Sequence, residues 1–220
     1  VKLPFISGPT DFGDEVHKAL QKILLKQAKP KDFSGETRRA IDNGLSALKD
    51  LEKQFPGLQV EGTEVKVDVP LNSIVQYEHD DLIFTGKIDV LFKHNSGYLM
   101  VDWKTDRDDG RSSEHKRQLS VYKKAYSKSD NIPEDKITTC VIFVAKRERI
   151  NTGKFEWSID IGTRNPFPTF EKHLQKILGW RKDPNTFIED LLDPLLHKET
   201  DELFLAIKEE LTTDLSGDPR

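Results

Sequence analysis

Residues 98–104 read as a strand with two unlike faces. Side chains alternate along an extended chain, so Leu99, Val101 and Trp103 share one side while Asp102 and Lys104 share the other. The apolar side marks the strand as part of a core. Residues 82–92 read as a second strand, with Ile88 and Val90 facing one way and Asp89 the other, and His94-Asn95-Ser96-Gly97 supplies a turn between the two. Antiparallel pairing through that turn would bring Asp89 beside Asp102. Two carboxylates about 4 Å apart repel by about 4 kcal/mol at an effective dielectric of about 20, and a bound divalent cation is the simplest relief. The plainer alternative, an ion pair of Asp102 and Lys104 on an exposed surface strand, conflicts with Val101 and Trp103 beside them.

The remaining pattern places these strands in a larger sheet. A helix is expected over residues 11–27, with Val16, Leu20, Ile23 and Leu24 as its apolar stripe and His17 at the edge. A second is expected over 34–54, with Ser34 as cap, Ile41, Leu45, Leu48 and Phe55 at helical spacing, and Pro56-Gly57 as stop. Val65, Val67, Val69 and Leu71 alternate with Glu64, Lys66 and Asp68, giving the first strand of a three-stranded meander. Residues 106–113 are polar and contain Gly110, hence a loop, and 114–127 read as a helix with Leu119, Tyr122 and Tyr126 inward. Residues 139–145 are apolar almost throughout and read as a central strand covered on both faces. Phe155, Trp157, Ile159 and Ile161 then line one side of a last strand, and helical spacing resumes beyond Pro166. The expected class is α/β, a mixed central sheet flanked by helices over residues 1–165, with a helical C-terminal extension over 166–220 packed on it.

Composition excludes several classes. With 33 % charged residues, a mean hydropathy of −0.61 and no apolar run of membrane length, no membrane partner is expected. Val1-Lys2-Leu3-Pro4-Phe5 is no secretory leader, so an intracellular protein is expected, cytoplasmic if prokaryotic. The absence of Met at position 1 points to a domain excised from a longer chain. The single Cys140 lies in the apolar strand and forms no intrachain disulfide. There is no Gly-x-x-x-x-Gly-Lys-Ser/Thr loop, hence no ATP-driven motor in this chain. The net charge of −4 hides an asymmetry: residues 104–128 carry eight Lys or Arg against four Asp or Glu, whereas 183–220 carry three against eleven. A basic surface beside the proposed site suits a phosphate backbone. Either segment alone also fits an ordinary solvated helix face.

Four ordered elements stand between residues 13 and 122: Gly13-x-x-x-His17 on the first helix, Gly86-x-x-Asp89, Asp102-x-Lys104, and Gln118-x-x-x-Tyr122 on the third helix. Together they resemble the PD-(D/E)XK nuclease superfamily, and within it the RecB-type branch. The resemblance implies a restriction-endonuclease-like core and hydrolysis of DNA phosphodiesters with Mg²⁺ or Mn²⁺. Asp89, Asp102, His17 and the carbonyl of Trp103 would then hold the metal, and Lys104 would orient the attacking water or stabilise developing charge. Gln118 and Tyr122 would meet substrate phosphate, although Tyr122 fits a packing role equally. Lys116, Arg117 and Lys123, on the same helix, are candidate DNA contacts. Glu64 is a candidate to support the ligands from behind or to hold a second ion. The single cysteine excludes the iron–sulfur staple of some RecB-type relatives.

The function that the resemblance implies is a metal-dependent deoxyribonuclease, an exonuclease acting on duplex ends or single strands in DNA repair or recombination, with a helicase domain or subunit as partner; composition and spacing separate neither exonuclease from endonuclease nor DNA from RNA. Two alternatives stand beside it: a catalytically silent DNA-binding module of a helicase–nuclease complex, and a docking scaffold acting through the acidic helices. Trp180-Arg181-Lys182 fits single-strand stacking or, more plainly, helix packing. The remaining histidines, His79, His94, His115, His173 and His197, sit in no recognisable motif.

Overall fold

The computed structural model describes residues 11–76, 82–106, 112–147, 155–162, 167–168, 171–172 and 174–175. The chain divides into two units, Val1–Phe167 and Pro168–Arg220. The helical extension expected over 166–220, with Trp180-Arg181-Lys182, His173 and His197, falls almost wholly outside the described residues, as does His79.

The first unit runs α1 (Asp11–Leu24), α2 (Gly35–Gln54), β1 (Gln59–Pro70), β2 (Ile83–His94), β3 (Gly97–Lys104), α3 (Ser112–Ser129), β4 (Ile137–Arg147) and β5 (Phe155–Ile161). The five strands form one mixed sheet in the order β1-β2-β3-β4-β5. β1, β2 and β3 are an antiparallel meander, β4 runs parallel to β3, and β5 returns antiparallel. Parallel neighbours cannot be joined by a tight turn, and α3 is the crossover between them. β2 and β3 close through a two-residue hairpin, His94 pairing with Gly97.

Both faces of this sheet are covered, which is why the middle of β4 is apolar: Cys140, Val141, Ile142, Phe143 and Val144 are all fully buried. On one face Val90, Phe92, Leu99, Val101, Trp103, Cys140, Ile142 and Val144 meet α1 and α2, and Trp157, Ile159 and Ile161 of β5 join them. By alternation Leu91 and Met100, a register pair, turn to the other side, where α3 buries Leu119 and Tyr126 and Tyr98 of β3 meets Tyr126 edge to face. Asp102 and Lys104 therefore open on the α3 side, and Trp103 anchors their strand in the α1–α2 core.

The α2 contact departs from the expected stripe. Its deepest residues are Ala40, Ile41, Gly44, Ala47 and Leu51, whereas Leu45, Leu48 and Phe55 are only partly covered. Small residues let the helix approach. A Cβ on Gly44 would stand 3.0 Å from Leu20 Cδ2 and 3.5 Å from the Trp103 ring. The Ser34 hydroxyl makes no capping hydrogen bond; the residue contributes its carbonyl, which accepts the Arg38 N–H. β4 is irregular between Phe143 and Lys146, and there the Val144 carbonyl accepts a hydrogen bond from Asn43 of α2. α3 begins at Ser112, two residues before its expected start.

Leu20 links α1 to both Gly44 and the strand that carries the acidic residues. Leu20→Ala is expected to lose about 2–5 kcal/mol, measured by urea unfolding. A loss below about 1 kcal/mol would mean that this helix is not part of the cooperative core.

Candidate active site

The ladder between β2 and β3 stops at Val90 and Val101. One more step of that register sets Asp89 opposite Asp102, but there the backbones part, and the Asp89 carboxylate takes over. Its Oδ2 accepts the Trp103 N–H at 2.9 Å, in place of a strand carbonyl. From α1, His17 Nδ1 lies 3.4 Å from the same oxygen. The α1 stripe that buries Val16 and Leu20 leaves His17 at its margin, next to the strand ends.

Asp102 is 5 % exposed. Lys104 Nζ donates to its Oδ1 at 3.1 Å and stands 2.9 Å from Oδ2. The second approach is close but not aligned for a hydrogen bond, so Oδ2 is a buried carboxylate oxygen with no donor. His17, Asp89, Asp102 and Lys104 thus form one mutually charged group.

The electrostatics push the two carboxylates apart. Burial opposes ionisation of Asp89, yet the His17 hydrogen bond and charge and the Trp103 N–H outweigh it and lower its pKa. Asp102 lacks such support: burial, and then the Asp89 charge, push it up to about 7 against the pull of Lys104. Burial disfavours the charged forms of His17 and Lys104, but Asp89 for the first and Asp102 for the second raise both above their ordinary values.

The donors suit a hard cation: two carboxylates, one with a buried oxygen lacking a hydrogen bond, and an imidazole. They do not converge. Among the described residues no three His, Cys, Asp or Glu side chains are grouped as a metal centre requires, because His17 turns to Asp89 and Asp102 to Lys104.

The other expected residues are distributed unevenly. Gln118 donates to the Tyr122 hydroxyl at 3.0 Å, and the Tyr122 ring lies over Gly86, where a Cβ would stand 2.8 Å from its Cε1. Gly86 is therefore needed for close approach of this ring. Lys116 does not project freely: its ammonium is 2.7 Å from Asp160 of β5, to which Ser112 also donates. Arg117 and Lys123 are half-buried on α3, and the neighbouring Lys124 ammonium sits 3.9 Å from the centre of the Phe167 ring. Glu64, between register pairs Thr63–Val90 and Val65–Ile88, stands across from Asp89 and pairs with Lys87. Its φ of 54° is a left-handed conformation uncommon for a glutamate.

Two histidines outside the four sequence elements have partners. His115 Nε2 lies 2.8 Å from Asp106 Oδ2. His94 Nδ1 faces the Ser96 N–H, and its ring meets Phe55 at an edge. Asp106 likewise belongs to none of the four sequence elements, and Lys87 fills only an unspecified position of Gly86-x-x-Asp89. The one signal for them is adjacency, two residues after Lys104 and two before Asp89.

The raised Asp102 pKa has a direct consequence for stability. The folded protein holds this proton more tightly than the unfolded chain, whose value is 3.8, so in chelator stability falls as pH rises from there to about 7 and the full cost persists above it. Asp102→Asn removes the charge. Above pH 7 the variant is expected to melt no lower than the wild type, and to lose less stability than the wild type across this range. A clear drop in its melting temperature would show that the charged carboxylate stabilises the fold.

A family profile of the PD-(D/E)XK nuclease superfamily matches residues 6–203. No curated protein sequence matches. Among solved structures, a crystal structure of SSO0001 is 12 % identical, covering 77 % of this chain and 86 % of that one, with a TM-score of 0.33. The profile spans most of the sequence, including His17, Asp89, Asp102, Lys104, Gln118 and Tyr122, and the chain belongs to the PD-(D/E)XK nuclease superfamily.

Proposed function

We propose that this chain is a metal-dependent deoxyribonuclease of the RecB-type branch, an exonuclease hydrolysing phosphodiesters at DNA ends or in single strands during repair or recombination. Members of the superfamily are generally nucleases and typically use divalent metal ions. The observation that carries the reading is the group at the parting of β2 and β3: Asp102 with a buried oxygen that accepts no hydrogen bond, Asp89 opposite it, and Lys104 and His17 against them. A structural ion pair has no need of the second carboxylate, whose charge makes Asp102 costly to ionise.

Mg²⁺ or Mn²⁺ would be held by Asp89, Asp102, His17 and the Trp103 carbonyl. When bound, the ion makes the attacking water more acidic and offsets charge on the phosphate oxygens. Lys104 holds the water in line or stabilises the charge that grows on the non-bridging phosphate oxygens. Gln118 and Tyr122, joined by their hydrogen bond, present an amide and a phenol to the phosphate one turn apart on α3. Arg117 and Lys123 add positive charge on the same helix, whereas Lys116, paired with Asp160, contributes less. A helicase domain or subunit would supply the motor that this chain lacks.

Labelled single-stranded and duplex DNA incubated with Mg²⁺, Mn²⁺ or chelator tests the reading. Cleavage is expected with either ion and not with chelator. Lys104→Ala is expected to lower the rate about a hundredfold or more while retaining stabilisation by the metal. Unchanged cleavage by this variant would remove Lys104 from the mechanism, and metal-independent cleavage would defeat the reading as a whole.

A further inference from the structure

One partly buried hydrogen bond beside the site has no part in the chemistry above. Asp106 lies two residues past Lys104, and His115 lies on the first turn of α3, three residues before Gln118. His115 Nε2 is 2.8 Å from Asp106 Oδ2, with the imidazole 15 % exposed and the carboxylate 40 %. The His115 ring also rests against Phe143 of β4, centroids 6.0 Å apart, and Phe143 is fully buried. From the first turn of α3, one side chain therefore meets both the segment just past β3 and the middle of β4.

The helix is the fixed partner in this arrangement. Its first turn is tied to β5 as well, where Ser112 and Lys116, one turn apart, share the Asp160 carboxylate. Among the described residues just past Lys104, the one side-chain hydrogen bond is that of Asp106 with His115. Residues three apart on a helix share a face, so His115 and Gln118 stand on the same side of α3. The hydrogen bond from His115 to Asp106 thus joins the chain just past Lys104 to the helix face that carries Gln118. Burial, partly offset by Asp106, lowers the His115 pKa, which leaves a neutral imidazole whose Nε2–H donates to the carboxylate.

We propose that the Asp106–His115 hydrogen bond positions Lys104 relative to Gln118, and that both are positioning residues for phosphodiester cleavage. The inference rests on the nuclease reading. Neither side chain transfers a proton; the pair sets the distance between a cation on a strand end and an amide on a helix. Displacement of a reacting group by about 1 Å can cost about a hundredfold in rate.

Two measurements on His115→Ala, His115→Gln and Asp106→Ala test the proposal. The first is single-turnover cleavage in Mn²⁺ beside DNA affinity in Ca²⁺. His115→Ala and Asp106→Ala are each expected to lower the cleavage rate about tenfold to a hundredfold with affinity within about twofold of wild type. His115→Gln should restore most of the rate, because its amide N–H reaches toward Asp106 as Nε2–H does. The second is amide hydrogen exchange without metal or DNA, in which the alanine variants should lose protection around Lys104 and the first turn of α3 while His115→Gln keeps it. Asp106→Ala acts from the exposed side and leaves the Phe143 packing intact, so it decides the matter if His115→Ala fails to fold. Unaltered rate and exchange in Asp106→Ala would overturn the proposal. So would a His115→Gln variant as slow as His115→Ala but with wild-type exchange, which would make His115 an acid–base group. A wild type that cleaves nothing defeats the nuclease reading instead, and exchange then still decides whether the pair holds strand to helix.

Discussion

Two carboxylates face each other where two paired strands part, and most of the surrounding structure follows from holding them there. Asp89 can stay ionised because its oxygen is met from two elements, by the Trp103 N–H of β3 and by His17 of α1, with the Lys104 charge nearby. Asp102 receives only Lys104, and one of its oxygens accepts nothing. The asymmetry is large enough to move the pKa of Asp102 to about 7 while that of Asp89 falls. An arrangement of this kind costs stability when no cation is present, and it persists because the fold on either side over-determines it.

That over-determination is visible in the packing. Trp103 is locked between α1 and α2 and fixes the peptide whose N–H meets Asp89. Gly44 of α2 leaves room for both Leu20 and that indole, and Leu20 lies three residues from His17 on α1. On the other face α3 is fastened to β5 through Asp160 and to the end of β3 through Asp106. Gly86 admits the Tyr122 ring against β2, and so sets the helix close to the strand that carries Asp89.

Sequence made much of this legible, because the strands and helices carry strong local periodicity. Alternation over 98–104 placed Trp103 in the core and Asp102 with Lys104 on the other side, and the turn at Asn95-Ser96 set the register that brings Asp89 opposite Asp102. What was not legible depended on partners distant in the chain. Besides Ile41 and Leu51, the deep face of α2 uses Ala40, Gly44 and Ala47, which a search for bulky apolar residues passes over. Lys116 reads as a free basic residue until β5 delivers Asp160, and His115 reads as unpartnered until the crossover brings it to Asp106. Glu64 reads as a candidate to support the site, but its left-handed backbone and its Lys87 partner depend on the pairing of β1 with β2.

The central claim is that a divalent cation binds at Asp89 and Asp102 and relieves their repulsion. Thermal unfolding of the wild type and of Asp102→Asn, each in chelator and in saturating Mn²⁺, tests it most directly. A ligand that binds only the folded state at a hundredfold excess over its Kd stabilises by about 2.7 kcal/mol. The wild type is expected to gain stability on this scale and the variant little. Equal gains in the two proteins would place the ion elsewhere and contradict the claim.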